Sequence, residues 1–463
     1  RDPSRMAEVL NRVIEKAIRG SAPAQINVPR DYWTQVIDID LPPIVRLEKQ
    51  AGGVEAIKKA ADLLSKAKFP VILSGAGVVI GGAIEDCKKL AEKLDAPVCS
   101  GYQHNDSFPG SHPLAAGPLG YNGSKAGMEL IQKADVVLAL GTRLNPFSTL
   151  PGYGMDYWPK DASIIQVDMN SDRIGLTKKV SVGICGDARL VSQQILAQLS
   201  PTAGDADRQK RKDIIHQTKS AWLQKLASLD HEDDDKGTVW NEEARKRDAD
   251  RMSPRQAWRA IQAGMPDDVI ISSDIGNNCA IGNAYPTFEK GRKYLAPGLF
   301  GPCGYGFPSI LGAKIGCPET PVIGFAGDGA FGISMNEMSS CAREEWPAIS
   351  MVIFRNYQWG AEKRNTTLWY DNNFIGTELD PELSYAKVAD ACGLKGVTVK
   401  TMEETTVAIK QSCEDQKKGI TTFIEVILNQ ELGEPFRRDA MKKPVKVAGI
   451  SKKDMRKQPS LSS

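Results

Sequence analysis

The sequence predicts an α/β protein built from doubly wound domains, each with a parallel sheet. Short apolar runs that end at glycine or a polar residue alternate with helix-like segments over residues 53–200 and again over residues 253–430. Parallel strands joined by helices produce this alternation. A charge-rich stretch, residues 201–252, lies between the two regions and is expected to link two separate domains.

The chain opens with a segment too small to form a domain. Met6 to Ile18 has helical periodicity, and Ala24 to Val28 reads as a strand that ends at Pro29. Because one helix and one strand cannot bury a core of their own, we expect residues 1–40 to be the last part of a larger sheet whose earlier part is absent from this chain. Residues 41–52, rich in proline and charge, predict a linker.

Residues 53–200 predict a central α/β domain. Its expected helices are Gly53 to Lys66, Ala83 to Leu94 and Lys125 to Lys133, and its expected strands are Pro70 to Ser74, Pro97 to Cys99, Asp135 to Leu140 and Ser163 to Val167. The glycines at Gly75, Gly77 and Gly81 are one residue out of step with the G-x-G-x-x-G fingerprint. We therefore favour a strand-to-helix turn over a dinucleotide site.

Two histidines lie in the long loop of this region. His104, among polar residues, could face an active site or could be satisfied by its neighbours, and we favour the second interpretation. His112 is expected to fix a turn. Further on, Gln209 to Ser228 predicts a surface helix, and the acidic run at residues 231–236 predicts a solvated loop rather than a metal site.

Residues 253–430 predict a second α/β domain. Ser253 and Pro254 form a typical helix start, and the helix is expected to reach about Ala263. The expected strands are Asp268 to Ser272, Val322 to Ala326, Ile349 to Phe354 and Thr421 to Leu428. Residues 431–463 form a basic extension that is expected to be solvated, although Arg437 and Arg438 could close over an anionic ligand.

Polar residues follow two strands of this second domain. Asp328 comes directly after one apolar run, between Gly327 and Gly329, and Asn356 comes directly after the next. Since open parallel sheets place ligands at the carboxyl ends of their strands, the two side chains should converge. Their oxygens suit Mg²⁺, and the glycines let backbone approach a phosphate. The alternative is an ordinary tight turn.

This pattern resembles the signature of thiamine diphosphate enzymes. The resemblance implies that Mg²⁺ is held by the side chains of Asp328 and Asn356 and by the backbone carbonyl of Gln358. We call these three residues the metal motif. It implies that thiamine diphosphate contacts the following residues: Gly276, Asn277, Asn278, Gly301, Cys303, Gly327, Asp328, Gly329, Ala330 and Asn356. Cys303 stands where the family usually has a bulkier apolar residue beneath the cofactor.

A narrower resemblance concerns the substrate. Segments such as FRNYQWGAEKRNTTLWY and NQELGEPFRRDAMKKPV are similar to the members of this family that transfer an acetyl group from a sulfonated aldehyde to phosphate. Three cations beside the metal motif, Arg355, Lys363 and Arg364, are candidates to bind such small anions, because guanidinium groups match phosphate and sulfonate oxygens.

The family resemblance also implies what this chain lacks. A glutamate of the N-terminal, pyrimidine-binding domain activates the cofactor in this family, and that domain is expected to be largely absent here, so no catalytic residue is assigned. The family's sites form between subunits, which implies a homodimer or homotetramer. Two alternatives stay open: a carboligase that acts on pyruvate, as acetolactate synthase does, and a non-catalytic subunit.

Composition restricts partners and compartment. The net charge of +2 gives no indication of a nucleic-acid partner. The nine cysteines include no C-x-x-C pair, which favours reduced thiols in a cytosolic protein. No apolar run approaches the roughly 20 residues of a membrane span. The expectation is a soluble, cytoplasmic protein.

Overall fold

The computed structural model describes most of the chain. It covers residues 2–20, 22–41, 43, 48–228, 246–298, 300–343, 345–370 and 373–431. The predicted acidic loop at residues 231–236 lies outside the described residues. So does the predicted basic extension after residue 431, with Arg437 and Arg438.

The first sheet has six parallel strands: β1 (Pro70–Ser74), β2 (Val98–Ser100), β3 (Ala115–Pro118), β4 (Val136–Leu140), β5 (Ser163–Asp168) and β6 (Val182–Cys185). Their order is β3-β2-β1-β4-β5-β6. Accompanying helices are α2 (Val54–Lys66), α3 (Ala76–Gly81), α4 (Ile84–Leu94), α5 (Lys125–Ile131) and α6 (Ala188–Gln198). Every residue of β1 and β4 is buried, as expected for central strands covered on both faces.

The second sheet also has six parallel strands: β7 (Ile270–Ser273), β8 (Tyr294–Leu295), β9 (Val322–Gly327), β10 (Ser350–Arg355), β11 (Lys395–Val399) and β12 (Thr422–Ile427). Their order is β11-β12-β10-β9-β7-β8. The helices of this domain are α8 (Pro254–Gly264), α9 (Asn277–Gly282), α10 (Gly306–Gly316), α11 (Asp328–Ser334), α12 (Met338–Cys341), α13 (Gly360–Trp369), α14 (Tyr385–Ala391) and α15 (Met402–Gln416). The predicted pair of α/β domains is therefore present.

The remaining described helices lie outside the two sheets. They are α1 (Met6–Gly20) and α7 (Asp205–Ser228), both close to their predicted bounds. α7 buries Ile215, Trp222 and Leu226, so it is not the purely surface helix that its charge suggested. Residues 24–28, predicted as a strand, adopt no strand, because no strand of the described chain lies beside them to complete a ladder. Among the described residues, no helix combines the length and apolarity needed to cross a membrane.

Helix α8 anchors the second domain's core. Ser253 caps it by accepting a hydrogen bond from the backbone N–H of Gln256, whose side chain caps Ser253 in return. Trp258 on this helix lies 4.8 Å from the ring centre of Phe325 and 5.3 Å from that of Phe354. Its indole donates to the backbone carbonyl of Asn278 at 2.7 Å. The core thus fixes the start of α9, which faces the candidate site.

The glycines after β1 serve close packing of loops. The backbone N–H of Gly77 donates to the carbonyl of Gly141 at 2.8 Å. A Cβ atom at Gly75 would lie 2.6 Å from that carbonyl oxygen, and one at Gly77 would lie 2.7 Å from the Cα of Gly141. Side chains are therefore excluded where the β1 and β4 loops meet, which supports the turn interpretation of this glycine pattern.

Candidate cofactor and metal site

A cavity of about 280 Å³ opens at the carboxyl ends of β7, β9 and β10. This edge of a doubly wound sheet is where ligands are expected. The described residues that line it include all those predicted to contact a cofactor or metal: Gly276, Asn277, Asn278, Gly301, Cys303, Gly327, Asp328, Gly329, Ala330, Asn356 and Gln358. Segments distant in the sequence thus meet around one space.

The strand register brings the two halves of the metal motif together. β9 and β10 are neighbours, with Phe354 paired to Gly327, so Asp328 and Asn356 follow adjacent strand ends. Both side chains are buried, at 1% and 2% exposure. The Asp328 carboxylate accepts from the backbone N–H of Tyr357 at 2.6 Å and from that of Gly329 at 3.0 Å. Burial raises the pKa of Asp328 to about 6, an effect that nearby Arg355 opposes.

A tight turn presents Gln358 to the same cavity. Tyr357 has a left-handed backbone, with φ of 61°, which turns the chain sharply after Asn356. Backbone hydrogen bonds on either side, from Leu379 N–H to the Tyr357 carbonyl and from Trp359 N–H to the Thr377 carbonyl, hold the turn. The Gln358 side chain donates to the carbonyl of Gln430 at 2.9 Å.

The opposite wall is formed by the segment after β7. Gly276 has φ of 128°, a backbone conformation that residues with a side chain rarely adopt. It precedes Asn277 and Asn278 at the start of α9. The Asn277 amide donates to the carbonyl of Gly360 at 3.3 Å and so joins this wall to the start of α13. The segment therefore faces the metal motif across the cavity.

Two buried oxygens indicate that the cavity is built for a polar ligand. The side-chain oxygens of Asn278 and Gln358 have no hydrogen-bond partner among the residues that the structure describes. Both residues are at most 4% exposed. Buried polar atoms are normally paired, so a bound group with donors, ordered water or a cation would satisfy them. The donor set of one carboxylate, amide oxygens and backbone carbonyls fits Mg²⁺.

Asp274 is a site residue that the sequence analysis did not identify. Its carboxylate accepts from the backbone N–H groups of Ile275 at 2.8 Å, Gly304 at 3.0 Å and Gly306 at 2.7 Å. It therefore ties the loop that carries Gly301 and Cys303 to the end of β7. Burial raises the pKa of Asp274. The sequence signal was an acidic residue at a strand end next to Gly276.

Cys303 is half-buried at the cavity wall. Loss of solvent raises the pKa of its thiol to about 11, with further contributions from Asp274 and Glu362. The neutral thiol is thus favoured, which suits a packing role beneath a ligand better than a nucleophilic one.

The three cations predicted to bind substrate do not line the cavity. Arg355 is fully buried and donates to Asp328 and to backbone carbonyls of the 380–383 loop. Lys363 pairs with Glu378, and Arg364 is 6% exposed. Arg355 therefore has protein partners where a substrate anion was expected. The reason is that strand β10 extends through Arg355, which places its side chain beneath the turn.

The central domain contributes residues that the sequence analysis missed. Tyr102 and Tyr121 line the cavity beside Trp359 and Glu362 of the second domain. The tyrosine rings pack edge to face, with centroids 5.9 Å apart. No motif marked them, because aromatic residues in loops are common.

The loop histidines take separate structural positions. His104 is outside the described lining of the cavity; burial, with a contribution from Arg143, lowers its pKa to about 4. His112 accepts from the backbone N–H of Leu114 at 3.2 Å and contacts Glu92 at 3.3 Å. The prediction that His112 fixes a turn is confirmed.

Two family models match the chain. The model described as "Thiamine pyrophosphate enzyme, central domain" matches residues 57–197. The model described as "Thiamine pyrophosphate enzyme, C-terminal TPP binding domain" matches residues 274–426. Benzoylformate decarboxylase from Polynucleobacter necessarius has a similar fold, with a TM-score of 0.70 over 93% of this chain and 75% of that one, at 18% identity.

Curated relatives are much closer in sequence. A probable sulfoacetaldehyde acetyltransferase of Rhizobium meliloti is 78% identical over 99% of this chain and 78% of the relative. The sulfoacetaldehyde acetyltransferase of Roseovarius nubinhibens is 72% identical over 99% of this chain and 76% of the relative. By contrast, a probable acetolactate synthase large subunit of Methanococcus aeolicus is 29% identical, over 88% and 67% of the two chains.

Proposed function

Because the chain belongs to the sulfoacetaldehyde acetyltransferase family of thiamine pyrophosphate enzymes, we propose that it converts sulfoacetaldehyde and phosphate to acetyl phosphate and sulfite. In this reaction the carbon–sulfur bond breaks and sulfite leaves. The aldehyde carbon is oxidised to an acyl group, the methylene carbon is reduced to a methyl group, and a phosphate oxygen bonds to the acyl carbon. The reaction belongs to the breakdown of taurine and related sulfonates.

The observation that carries this proposal is the shared cavity of the metal motif and the α9 segment. Asp328, Asn356 and the Gln358 carbonyl would hold Mg²⁺, whose charge would help to bind the diphosphate of the cofactor. Gly276, Asn277 and Asn278 would contact the diphosphate from the facing wall. Gly329 can approach it closely, because it has no side chain.

The remaining cofactor contacts come from the glycine-rich loop. Gly301, Cys303, Gly327 and Ala330 line the same cavity and would contact the bound cofactor. Thiamine diphosphate supplies an electron sink at the carbonyl carbon when bound. Tyr102, Tyr121 and Trp359 line the cavity as well and would limit the access of water to it.

Substrate recognition follows from what else lines the cavity. Among the described residues, the cavity lining includes no lysine or arginine. Backbone N–H groups and tyrosine hydroxyls of this lining would be among the donors that bind the substrate's anionic groups. Lys363 and Arg364 lie on α13, whose start lines the cavity, and could influence substrate binding only through the potential they create there.

We further propose that the protein assembles as a homodimer or homotetramer in the cytoplasm. The family resemblance is the support for this statement. Sedimentation velocity of the full-length polypeptide gives the subunit number directly, and a monomer that retains full activity would contradict it.

Substrate discrimination tests the proposed reaction. We expect the full-length enzyme, loaded with thiamine diphosphate and Mg²⁺, to have a kcat/KM for sulfoacetaldehyde at least 100-fold above that for pyruvate, a difference of about 2.7 kcal/mol in transition-state binding. Sulfite release and pyruvate consumption are measured in parallel. Preferential pyruvate consumption would support the carboligase alternative, and inertness with both substrates would support a non-catalytic subunit.

A further inference from the structure

Arg355 is the most completely enclosed charged side chain near the candidate metal site. It ends β10, has no exposed surface, and its Nη1 lies 3.1 Å from Oδ2 of Asp328. Its Nη2 donates to the carbonyl of Leu383 at 2.8 Å and to that of Asp380. On its other side, Nε lies 3.7 Å from a carboxylate oxygen of Glu425. One guanidinium thus joins three segments of the domain.

Aromatic rings hold the guanidinium in place. Its central carbon lies 4.2 Å from the ring centre of Tyr357 and 5.4 Å from that of Tyr385. Tyr385 also donates its hydroxyl proton to the backbone carbonyl of Asp328 at 2.9 Å. Stacking on aromatic faces and a planar fork of donors are properties of arginine that lysine does not share.

The Asp328 carboxylate has its orientation set by three donors. Oδ2 accepts from Tyr357 N–H and from Arg355, and Oδ1 accepts from Gly329 N–H. Of the two backbone donors, Gly329 lines the cavity, and Tyr357 lies between Asn356 and Gln358, which also line it. Arg355 is the one side-chain donor among these three, and its hydrogen bonds to carbonyls of the 380–383 loop hold it in place. This arrangement leaves the remaining lone pairs pointing in fixed directions.

We propose that Arg355 is a positioning residue of the metal site, which fixes the Asp328 carboxylate for Mg²⁺ and connects it to Glu425 and the 380–383 loop. The inference rests on the proposed function, in which Asp328 is a metal ligand. Groups that orient metal ligands typically account for ten- to hundredfold in metal affinity.

Charge and orientation predict opposite effects when Arg355 is removed. Asp328, Arg355 and Glu425 form a buried group of two carboxylates and one guanidinium. Loss of the guanidinium makes the group more negative, and Coulomb's law alone would then strengthen Mg²⁺ binding. Loss of the fixed donor lets the carboxylate rotate, which weakens binding. The sign of the change therefore distinguishes positioning from simple charge.

A double variant removes the charge effect. In Arg355→Gln with Glu425→Gln, one positive and one negative charge disappear together, so the net charge of the group is kept. Coulombic attraction then predicts little change in Mg²⁺ affinity, whereas positioning still predicts a loss. The variant also avoids leaving Glu425 buried without its cation, which protects the fold.

The experiment is a Mg²⁺ titration of the full-length protein at saturating thiamine diphosphate, followed by isothermal calorimetry and by tryptophan fluorescence, since Trp359 lines the cavity. We expect the Mg²⁺ dissociation constant to rise ten- to hundredfold in Arg355→Gln and in the double variant. In Arg355→Lys the Mg²⁺ dissociation constant should rise about tenfold, because lysine keeps the charge but lacks the planar fork of donors. Circular dichroism verifies folding. If the glutamine variants do not fold, the Mg²⁺ affinity of Arg355→Lys tests the positioning role.

Arg211→Gln is the matched control. Arg211 is a buried arginine, 3% exposed, on α7, and its Nη1 donates to the carbonyl of Leu94 in the central domain. Its loss should leave the Mg²⁺ dissociation constant unchanged. Unchanged or tighter Mg²⁺ binding in the Arg355 variants would overturn the inference, as would a rise only in KM for sulfoacetaldehyde or phosphate. Normal Mg²⁺ binding by the wild type without sulfite release would refute the proposed function alone.

Discussion

At the candidate site, the size of a side chain matters as much as its chemistry, as Gly329 shows. A Cβ atom at Gly329 would lie 2.8 Å from the indole of Trp359. Gly329 also donates its N–H to Asp328. The residue after Asp328 therefore has to be glycine if both the position of Trp359 and the orientation of the Asp328 carboxylate are to be kept.

The first prediction concerns Gly329→Ala. The added methyl group must displace Trp359 or shift Asp328, and such overpacking typically costs about 1–3 kcal/mol. We expect the thiamine diphosphate dissociation constant, measured by calorimetry with Mg²⁺ present, to rise at least tenfold. Gly312→Ala is the control, since Gly312 is exposed on α10 and a Cβ there meets no atom within 4 Å. It should bind the cofactor normally and be neutral or slightly more stable. Equal affinities for the two variants would contradict the account.

The second prediction concerns His104 and pH. Its pKa in the fold, about 4, is below the ordinary value of 6.5, so the fold prefers the neutral imidazole. The unfolded chain binds the proton first, and stability from this group is lost as pH falls from 6.5 towards 4. We expect wild type to lose about 1–3 kcal/mol more unfolding free energy than His104→Asn over this range. Denaturant titrations at each pH measure it; His216→Asn, an exposed histidine on α7, is the control. If the difference in unfolding free energy between wild type and His104→Asn does not change with pH, the prediction is wrong.

At the scale of elements, the site depends on side chains that tie its loops and helix starts together. Asp274 at the end of β7 accepts from three backbone N–H groups, one of them in the glycine-rich loop before α10 and one at the first residue of α10. Asn277 bridges from α9 to the start of α13. The strands supply rigid ends, and these bridges set the distance between the cavity walls.

The third prediction is that Asp274→Asn loosens the cavity. The amide nitrogen cannot accept the hydrogen bond from Gly304 or Gly306, and each buried donor left unpaired costs about 1–3 kcal/mol. We expect a lower melting temperature and a roughly tenfold weaker binding of thiamine diphosphate. Asp267→Asn makes the same chemical change at an exposed position nearby. If Asp274→Asn lowers stability without affecting cofactor affinity, then Asp274 holds only the fold.

At the scale of the whole molecule, two sheets of the same class serve different purposes. The second sheet carries the metal motif at the ends of β9 and β10, while the central domain supplies Tyr102 and Tyr121 to the same cavity. Asp106 of the central domain accepts from the backbone N–H groups of Lys293 and Tyr294. Both domains thus contribute residues to the cavity, and this contact joins them.

The sequence predicted much of this because parallel strands and their glycine turns are locally encoded. The main strands of both sheets and the convergence of Asp328 with Asn356 follow from apolar runs and the residues that end them. Four strands escaped prediction. β3, β6 and β8 have only two to four residues and no long apolar run, and β11 is an edge strand that is only partly buried. Residues 24–28 have a strand-like composition, but no strand in the described part of the chain lies beside them, which agrees with strand formation depending on pairing as well as on propensity.

The role of Arg355 could not be obtained from its position in the sequence. In the sequence, a cation beside the metal motif is equally compatible with a substrate contact and with a buried side chain that positions its neighbours. Only the burial of β10 to its last residue, and the return of the 380–383 loop beneath it, distinguish the two. Asp274, Tyr102 and Tyr121 escaped for the same reason, since their partners lie far away in the chain.

The central claim is that this cavity holds the Mg²⁺ and thiamine diphosphate of an acetyl transfer from sulfoacetaldehyde to phosphate. The most direct test measures sulfite and acetyl phosphate together, in full-length wild type and in Asp328→Ala, with and without EDTA. The account predicts equal amounts of the two products from wild type, and loss of both with EDTA or in Asp328→Ala. Sulfite release that persists in Asp328→Ala, or sulfite without acetyl phosphate, would contradict it.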